Sequence, residues 1–308
     1  MGTGNDPFGL ENERNRREEY FNRFDSASNE SAVIIQPQDR AYRDIVVPQR
    51  FGVRVISHII APYLKNDAIF KSPMFLALVG KAGEGKTAQA IATCSQHGFY
   101  VVYCSAANLS GKFESDAKAG MELLYRDALK LRKNNKFAVI IIDDFQKSVV
   151  NTNEKIEKTI NTELLTGYLM NLTERKGEEK IPIILTANDL TDIYQPLLRF
   201  GRTDVFMWEP TQQEKLEIVT QILSIVAGQK VIAAFFKEYS QEPISFFAQL
   251  LNRWRIMKLE QLLYSFSVID KSVLRNIEIA LDDIQERSLK YDDLIQLALS
   301  AKSERGVY

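Results

Sequence analysis

FLALVGKAGEGKTAQA, residues 75–90, runs an apolar stretch into a loop holding three glycines, two lysines and a threonine, and then into alanine-containing sequence. Gly80, Gly85, Lys86 and Thr87 fit the spacing G-x-x-x-x-G-K-[ST], with a strand-like run before it and a helical pattern after it, as that spacing requires. Glycines let the backbone curl so that successive N–H groups face one anion, and Gly83 is the third of them. The helix that follows adds the partial positive charge of its N-terminus. Lys86 is then placed for the β- and γ-phosphates and Thr87 for a hydroxyl on Mg²⁺. The loop reads as the seat of a nucleoside triphosphate; the plain alternative is a glycine turn that happens to share the spacing.

Working outward, YVVYCS, AVIIIDD and PIILTAND repeat the apolar, β-branched character of FLALVG. Helical periodicity fills the gaps at Thr87–His97, Asp116–Lys133 and Ile156–Arg175. Four near-continuous apolar strands separated by helices predict a parallel sheet covered on both faces. After Pro210 the strand pattern stops, and residues 211–308 read as helices alone. The expected organisation is a polar, flexible N-terminal arm over 1–40, an α/β nucleotide-binding domain over 41–209, and an α-helical domain over 210–308. Proline marks the second boundary, near Glu209-Pro210. Within the arm, Tyr20, Phe21 and Phe24 are the apolar anchors if it folds against a partner.

The second apolar strand after the loop ends in Asp143-Asp144, two carboxylates at the edge where ligands of open α/β sheets bind. Asp143 is placed to hold Mg²⁺ and Asp144 to polarise an attacking water. The strand PIILTAND ends in Asn188, an amide able to orient that water, although asparagine also suits turns. In QPLLRFGRTDVFMWEP, Arg199 and Arg202 flank a glycine. A guanidinium there can neutralise charge on a γ-phosphate of a neighbouring subunit, or remain a solvated surface arginine.

Composition narrows the classes. The chain has 308 residues, 45% hydrophobic and 26% charged, with a formal net charge of −1. That balance supplies no electrostatic case for a nucleic-acid or membrane partner. KLRKNN, one short basic cluster, suits a helix C-terminus. Two histidines (His58 and His97) and two cysteines (Cys94 and Cys104) are too few for a His-based metal cage, a triad or a disulfide framework. No apolar run reaches about 18 residues. A cytoplasmic location is expected, or the plastid stroma for a mature plastid protein.

Together these motifs resemble an AAA+ ATPase: a P-loop NTPase with a parallel sheet flanked by helices, followed by a small all-helical lid. More narrowly, FLALVGKAGEGKTAQA, CSAANLSGKFESDAKAGMELLYRDA, PIILTANDLTDIYQPLLRFGRTDVFMWEPT and PISFFAQLLNR resemble the Rubisco activases over residues 43–300. The resemblance implies ATP rather than GTP, an ATP-hydrolysing enzyme, and a homo-oligomeric ring, usually a hexamer. It makes Asn188 a sensor-1 residue, Arg199 and Arg202 inter-subunit fingers, and Arg253 a sensor-2 residue. It also places a pore loop in SAANLSGKFESD, where Leu109, Lys112 and Phe113 would grip a protein client, unless Phe113 folds back as core. The implied task is ATP-driven release of inhibitory sugar phosphates from Rubisco. The activase pattern commonly has Asn-Asp where this chain has Asp143-Asp144, and AAA+ enzymes in general have Asp-Glu. The alternatives are an ATP-dependent assembly switch, a motor on another client, and a DNA-handling AAA+ protein.

Overall fold

The computed structural model describes residues 33–64, 72–109, 116–145, 167–174, 180–191, 196–264, 270–283 and 289–304. Its strands are β1 (Val33–Ile35), β2 (Phe75–Val79), β3 (Tyr100–Ser105), β4 (Ala138–Asp143), β5 (Ile183–Ala187) and β6 (Thr203–Met207). They form one sheet in the order β1-β3-β4-β5-β2-β6. Pairings β3–β4, β4–β5 and β5–β2 are parallel, and β1 lies antiparallel to β3. All five residues of β2 and of β5 are buried, as expected of central strands covered on both faces.

The apolar runs thus yield the parallel core, and the sheet adds two strands that patterning did not show. Val33–Ile35 lies in the stretch expected to be a flexible arm, so the end of that arm belongs to the sheet edge. It escapes notice because three residues carry too little periodicity. β6 is buried only at Thr203 and otherwise half-buried or exposed, as suits an edge, and lacks a continuous apolar run.

The helices are α1 (Arg40–Arg43), α2 (Gln49–Ile60), α3 (Lys86–Gln96), α4 (Ala106–Leu109), α5 (Asp116–Lys133), α6 (Gln212–Leu223), α7 (Gln229–Tyr239), α8 (Ile244–Leu263), α9 (Lys271–Asp283) and α10 (Tyr291–Glu304). Residues 167–172 are helical too; the earlier part of the helix expected over 156–175 lies outside the described residues.

Contacts divide the chain into two units. The sheet unit takes the described residues up to Arg43, those within Val53–Val79, and those within Ala90–Phe206. Its core packs Met121, Leu124, Tyr125 and Ala128 of α5 against Val102, Cys104, Ile140 and Ile142 of the sheet. The Tyr125 hydroxyl accepts from the Ile181 amide at 3.0 Å, which ties the entry of β5 to that helix. The second unit gathers Asp44–Gly52, Gly80–Gln89 and the described residues from Met207 onward. Its core joins Phe235, Phe247, Leu250, Trp254, Leu294 and Ala298. The helical unit is therefore not only the C-terminal stretch: the glycine loop packs with it.

Candidate nucleotide-binding site

Parallel pairing brings the carboxyl ends of β2, β5 and β4 to one edge, with β5 in the middle. Asp143 closes β4, Asp144 follows it, and Asn188 follows β5 as an exposed residue. Neighbouring side chains hold Asp143 by both oxygens. Thr186 Oγ1 donates to Oδ1 at 2.5 Å, and Tyr103 Oη donates to Oδ2 at 3.1 Å. Burial first, and then the charge of Asp143, hold the Tyr103 phenol well above its usual range, so it remains a donor. Thr186 in turn accepts from the Asp144 amide at 3.1 Å. Asp144 itself has φ 52°, the left-handed region that aspartate enters more readily than most residues.

The sequence alone does not single out Thr186 or Tyr103. A signal existed for the first: Thr186 is the one polar side chain in the buried run Ile183–Ala187, and a buried hydroxyl needs a partner. Which partner depends on the β4–β5 register, which the sequence does not show.

Arg199 and Arg202 differ in setting. Arg199 is exposed, and the neighbouring Phe200 is fully so. Arg202 is half-buried, and its Nη1 donates to the Pro196 carbonyl at 2.9 Å. Gly201 between them has φ +86°, which lets the chain reverse there.

The loop Gly80–Thr87 has its own set of partners. Gly83 and Gly85 have φ +80° and +73°, so both positions require glycine. Lys86 is buried, and its Nζ donates to the carbonyls of Gly80 (2.7 Å) and Lys81 (2.9 Å), which closes the loop into a ring around the ammonium. The Gln89 amide donates to Gly85 O at 2.9 Å and begins α3, with Thr87 in its first turn. From elsewhere in the second unit, the Ser245 amide donates to Gly83 O at 2.9 Å and Trp208 Nε1 to Glu84 O at 3.0 Å. Lys215 Nζ pairs with Glu84 Oε1 at 3.1 Å.

Arg253 is half-buried on α8, where its Nη2 donates to Ser300 Oγ of α10 at 2.7 Å. Leu109 is not a gripping side chain. It is 1% exposed, belongs to the sheet-unit core and packs against α5 at Gly120. Lys112 and Phe113 lie outside the described residues. Cys94 and Cys104 are free and buried, with burial raising both thiols. His58 is buried too, which pushes its imidazole down to about 4.

A glycine loop between a buried strand and a helix, in a sheet that ends its neighbouring strands in carboxylates and an amide, defines a P-loop NTPase fold followed by a helical domain. Residues 76–211 match the family model described as ATPase family associated with various cellular activities (AAA). Over 248 residues the chain is 27% identical to a ribulose bisphosphate carboxylase/oxygenase activase of Nostoc sp., covering 75% of this chain and 60% of the relative. It is 28% identical to the Anabaena sp. activase over 221 residues (67% of this chain, 53% of the relative). With the chloroplastic activase of Spinacia oleracea it shares 26% over 230 residues (70% and 48%). The chain thus spans between about half and three-fifths of the length of these relatives. Among the described residues no helix is long and apolar enough to cross a membrane.

Proposed function

We propose that this chain hydrolyses ATP and uses the cycle to remodel a protein client as an oligomeric ring, with inhibited Rubisco as the client. The observation that carries the reading is the loop Gly80–Thr87, whose two left-handed glycines and closed Lys86 ring open α3 in a chain similar to named Rubisco activases. Gly80, Gly83 and Gly85 shape the cradle, Lys86 meets the β- and γ-phosphates, and Thr87 and Asp143 serve the metal. The donor set fits Mg²⁺, which binds through one or two carboxylates together with substrate phosphates. When bound, that ion neutralises charge on the phosphates.

Asp143 is held for this by Thr186 and Tyr103, which leave its carboxylate one orientation. Asp144 takes the proton of the attacking water, and Asn188 orients that water. Arg199 and Arg202 act on a neighbouring subunit's γ-phosphate, and Arg253 reports its state to the helical unit. Release of sugar phosphates would follow from disturbing the client, with no contact to the inhibitor.

The test is steady-state ATP hydrolysis by the wild type, Lys86→Ala and Arg202→Ala, each with and without sugar-phosphate-inhibited Rubisco. Turnover abolished by both substitutions, with recovery of carboxylase activity only in the wild type, supports the proposal. Turnover without recovery points to another client. ATP binding without turnover favours an assembly switch, the second reading, which the shorter Asp144 in place of a glutamate supports.

A further inference from the structure

Glu84 occupies a position that the phosphate-loop spacing leaves open, yet it is 6% exposed, as is its partner Lys215. Lys215 Nζ donates to Glu84 Oε1 at 3.1 Å, while Oε2 has no hydrogen-bond partner among the described residues. A buried carboxylate with a single ionic partner depends wholly on that partner, because removing one member leaves an uncompensated charge. Lys215 is itself well anchored. It sits in the first turns of α6, whose start carries a capping box: the Thr211 amide donates to Glu214 Oε2 at 2.7 Å, and the Glu214 amide donates to Thr211 Oγ1 at 3.2 Å. Arg50 grips Glu214 with Nε at 3.2 Å and Nη2 at 3.0 Å, and lies over the Trp208 ring.

Two further ties converge on Glu84 and its neighbour Gly83. Trp208 Nε1 holds Glu84 O, and the Ser245 amide at the start of α8 holds Gly83 O. The Trp208 ring is fixed in turn by an edge contact with Phe51, centroids 4.7 Å apart. Residues 83 and 84 are thus pinned from three helical-unit segments: the Trp208 approach, α6 and α8.

We propose that Lys215 is a positioning residue for the phosphate loop. Through its buried pair with Glu84 it holds backbone 83–85 in the shape that receives a triphosphate. Nucleotide at the loop and the placement of α6 and α8 therefore change together. The proposal rests on the reading of the loop as an ATP site. It deepens that reading by naming the route through which occupancy reaches the helical segments, and linkage makes the route work in both directions.

The experiment compares full-length wild type, Lys215→Met, Lys215→Arg, Glu84→Gln and the double variant Glu84→Gln/Lys215→Met. ATP Kd, KM and kcat are measured alongside residue-resolved amide exchange with and without saturating ATP. Expected for Lys215→Met is a rise of about tenfold in both Kd and KM with kcat little changed. Exchange at 83–85 should also be about tenfold faster, with the α8 core at Leu250–Trp254 still protected. Lys215→Arg restores binding, and the double variant binds better than Lys215→Met, because no unpaired carboxylate remains. In the wild type, ATP slows exchange at 212–217; in Lys215→Met it does not. Unchanged ATP affinity in Lys215→Met, or protection lost evenly across the helical unit, overturns the proposal and leaves a packing role. If the wild type itself takes up no ATP, the nucleotide reading fails. The positioning role then stands or falls on exchange at 83–85 alone.

Discussion

Thr186 Oγ1 lies 2.5 Å from Asp143 Oδ1 and at the same time accepts from the Asp144 amide at 3.1 Å. One hydroxyl on β5 thereby sets both carboxylate-bearing residues at the end of β4. Replacing it by valine keeps the shape and removes the bond. Thr186→Val should raise the Mg²⁺ concentration for half-maximal turnover by about 10- to 100-fold, the usual cost of losing a partner that orients a metal ligand. Metal-free ATP affinity should hold. A Mg²⁺ titration of turnover against nucleotide binding in a chelator checks this.

Asp144 combines a left-handed backbone with the proposed role of base. Asparagine tolerates that conformation and cannot take a proton. Asp144→Asn should keep its melting temperature and ATP affinity while kcat falls by about 10²- to 10⁴-fold, the range of general-base catalysis. A melting temperature that fell along with kcat would mean that the residue serves the turn instead.

Gly80 and Gly98 make a paired test of space against strain. A Cβ at Gly80 would stand 2.1 Å from the Trp208 carbonyl oxygen, a backbone atom that cannot swing aside. At Gly98 it would meet nothing within 4 Å, but φ is +87°. Gly98→Ala should cost about 1–2 kcal/mol, the left-handed penalty alone. Gly80→Ala should cost about 1–3 kcal/mol through overpacking, and should also weaken ATP binding, which Gly98→Ala leaves alone. Denaturant midpoints and nucleotide titrations separate the two.

The two arginines should separate by the same logic. Arg202 braces the Pro196 carbonyl, whereas Arg199 is exposed. Arg199→Ala should lower turnover of the assembled protein by about 10³-fold or more with the melting temperature unchanged, as for a finger acting on a neighbour. Arg202→Ala should lose turnover and also about 1.5–3 kcal/mol of stability, the value of a charged hydrogen bond in its own loop.

Stability should fall with acid through His58. Its folded value of about 4 lies below the ordinary 6.5, with burial as the main cause; Arg54 and Lys180 oppose the charge, while the Ile183 backbone bond and Asp204 favour it. The unfolded chain therefore binds the extra proton between those values. The contribution is fully present above about pH 6.5 and is lost as pH falls towards 4, with a limit on the order of 3 kcal/mol. Urea midpoints from pH 7 to 4 should show this slope, and His58→Asn should flatten it.

By itself the sequence determined the parallel core, the helical character of the C-terminal stretch, and the phosphate loop. Each of these is local: burial of a central strand writes a continuous apolar run, a helix writes its period, and a loop wrapped around an anion demands glycine at fixed spacing. The places of Asp143, Asp144 and Asn188 at strand ends were legible for the same reason, as polar residues closing such runs. Tertiary structure alone decided what each of them touches. The hold of Thr186 and Tyr103 on Asp143 depends on strand order and register, since β5 separates β4 from β2 although it comes later in the chain than both. The Glu84–Lys215 pair spans 131 residues, and the loop's packing with Trp208 and Ser245 joins segments equally remote. Leu109 reads from sequence as a gripping side chain because a leucine beside a polar loop looks the same whether it faces water or, as here, packs on Gly120. Such pairings come from the packing of distant segments, and no local pattern of residues encodes them.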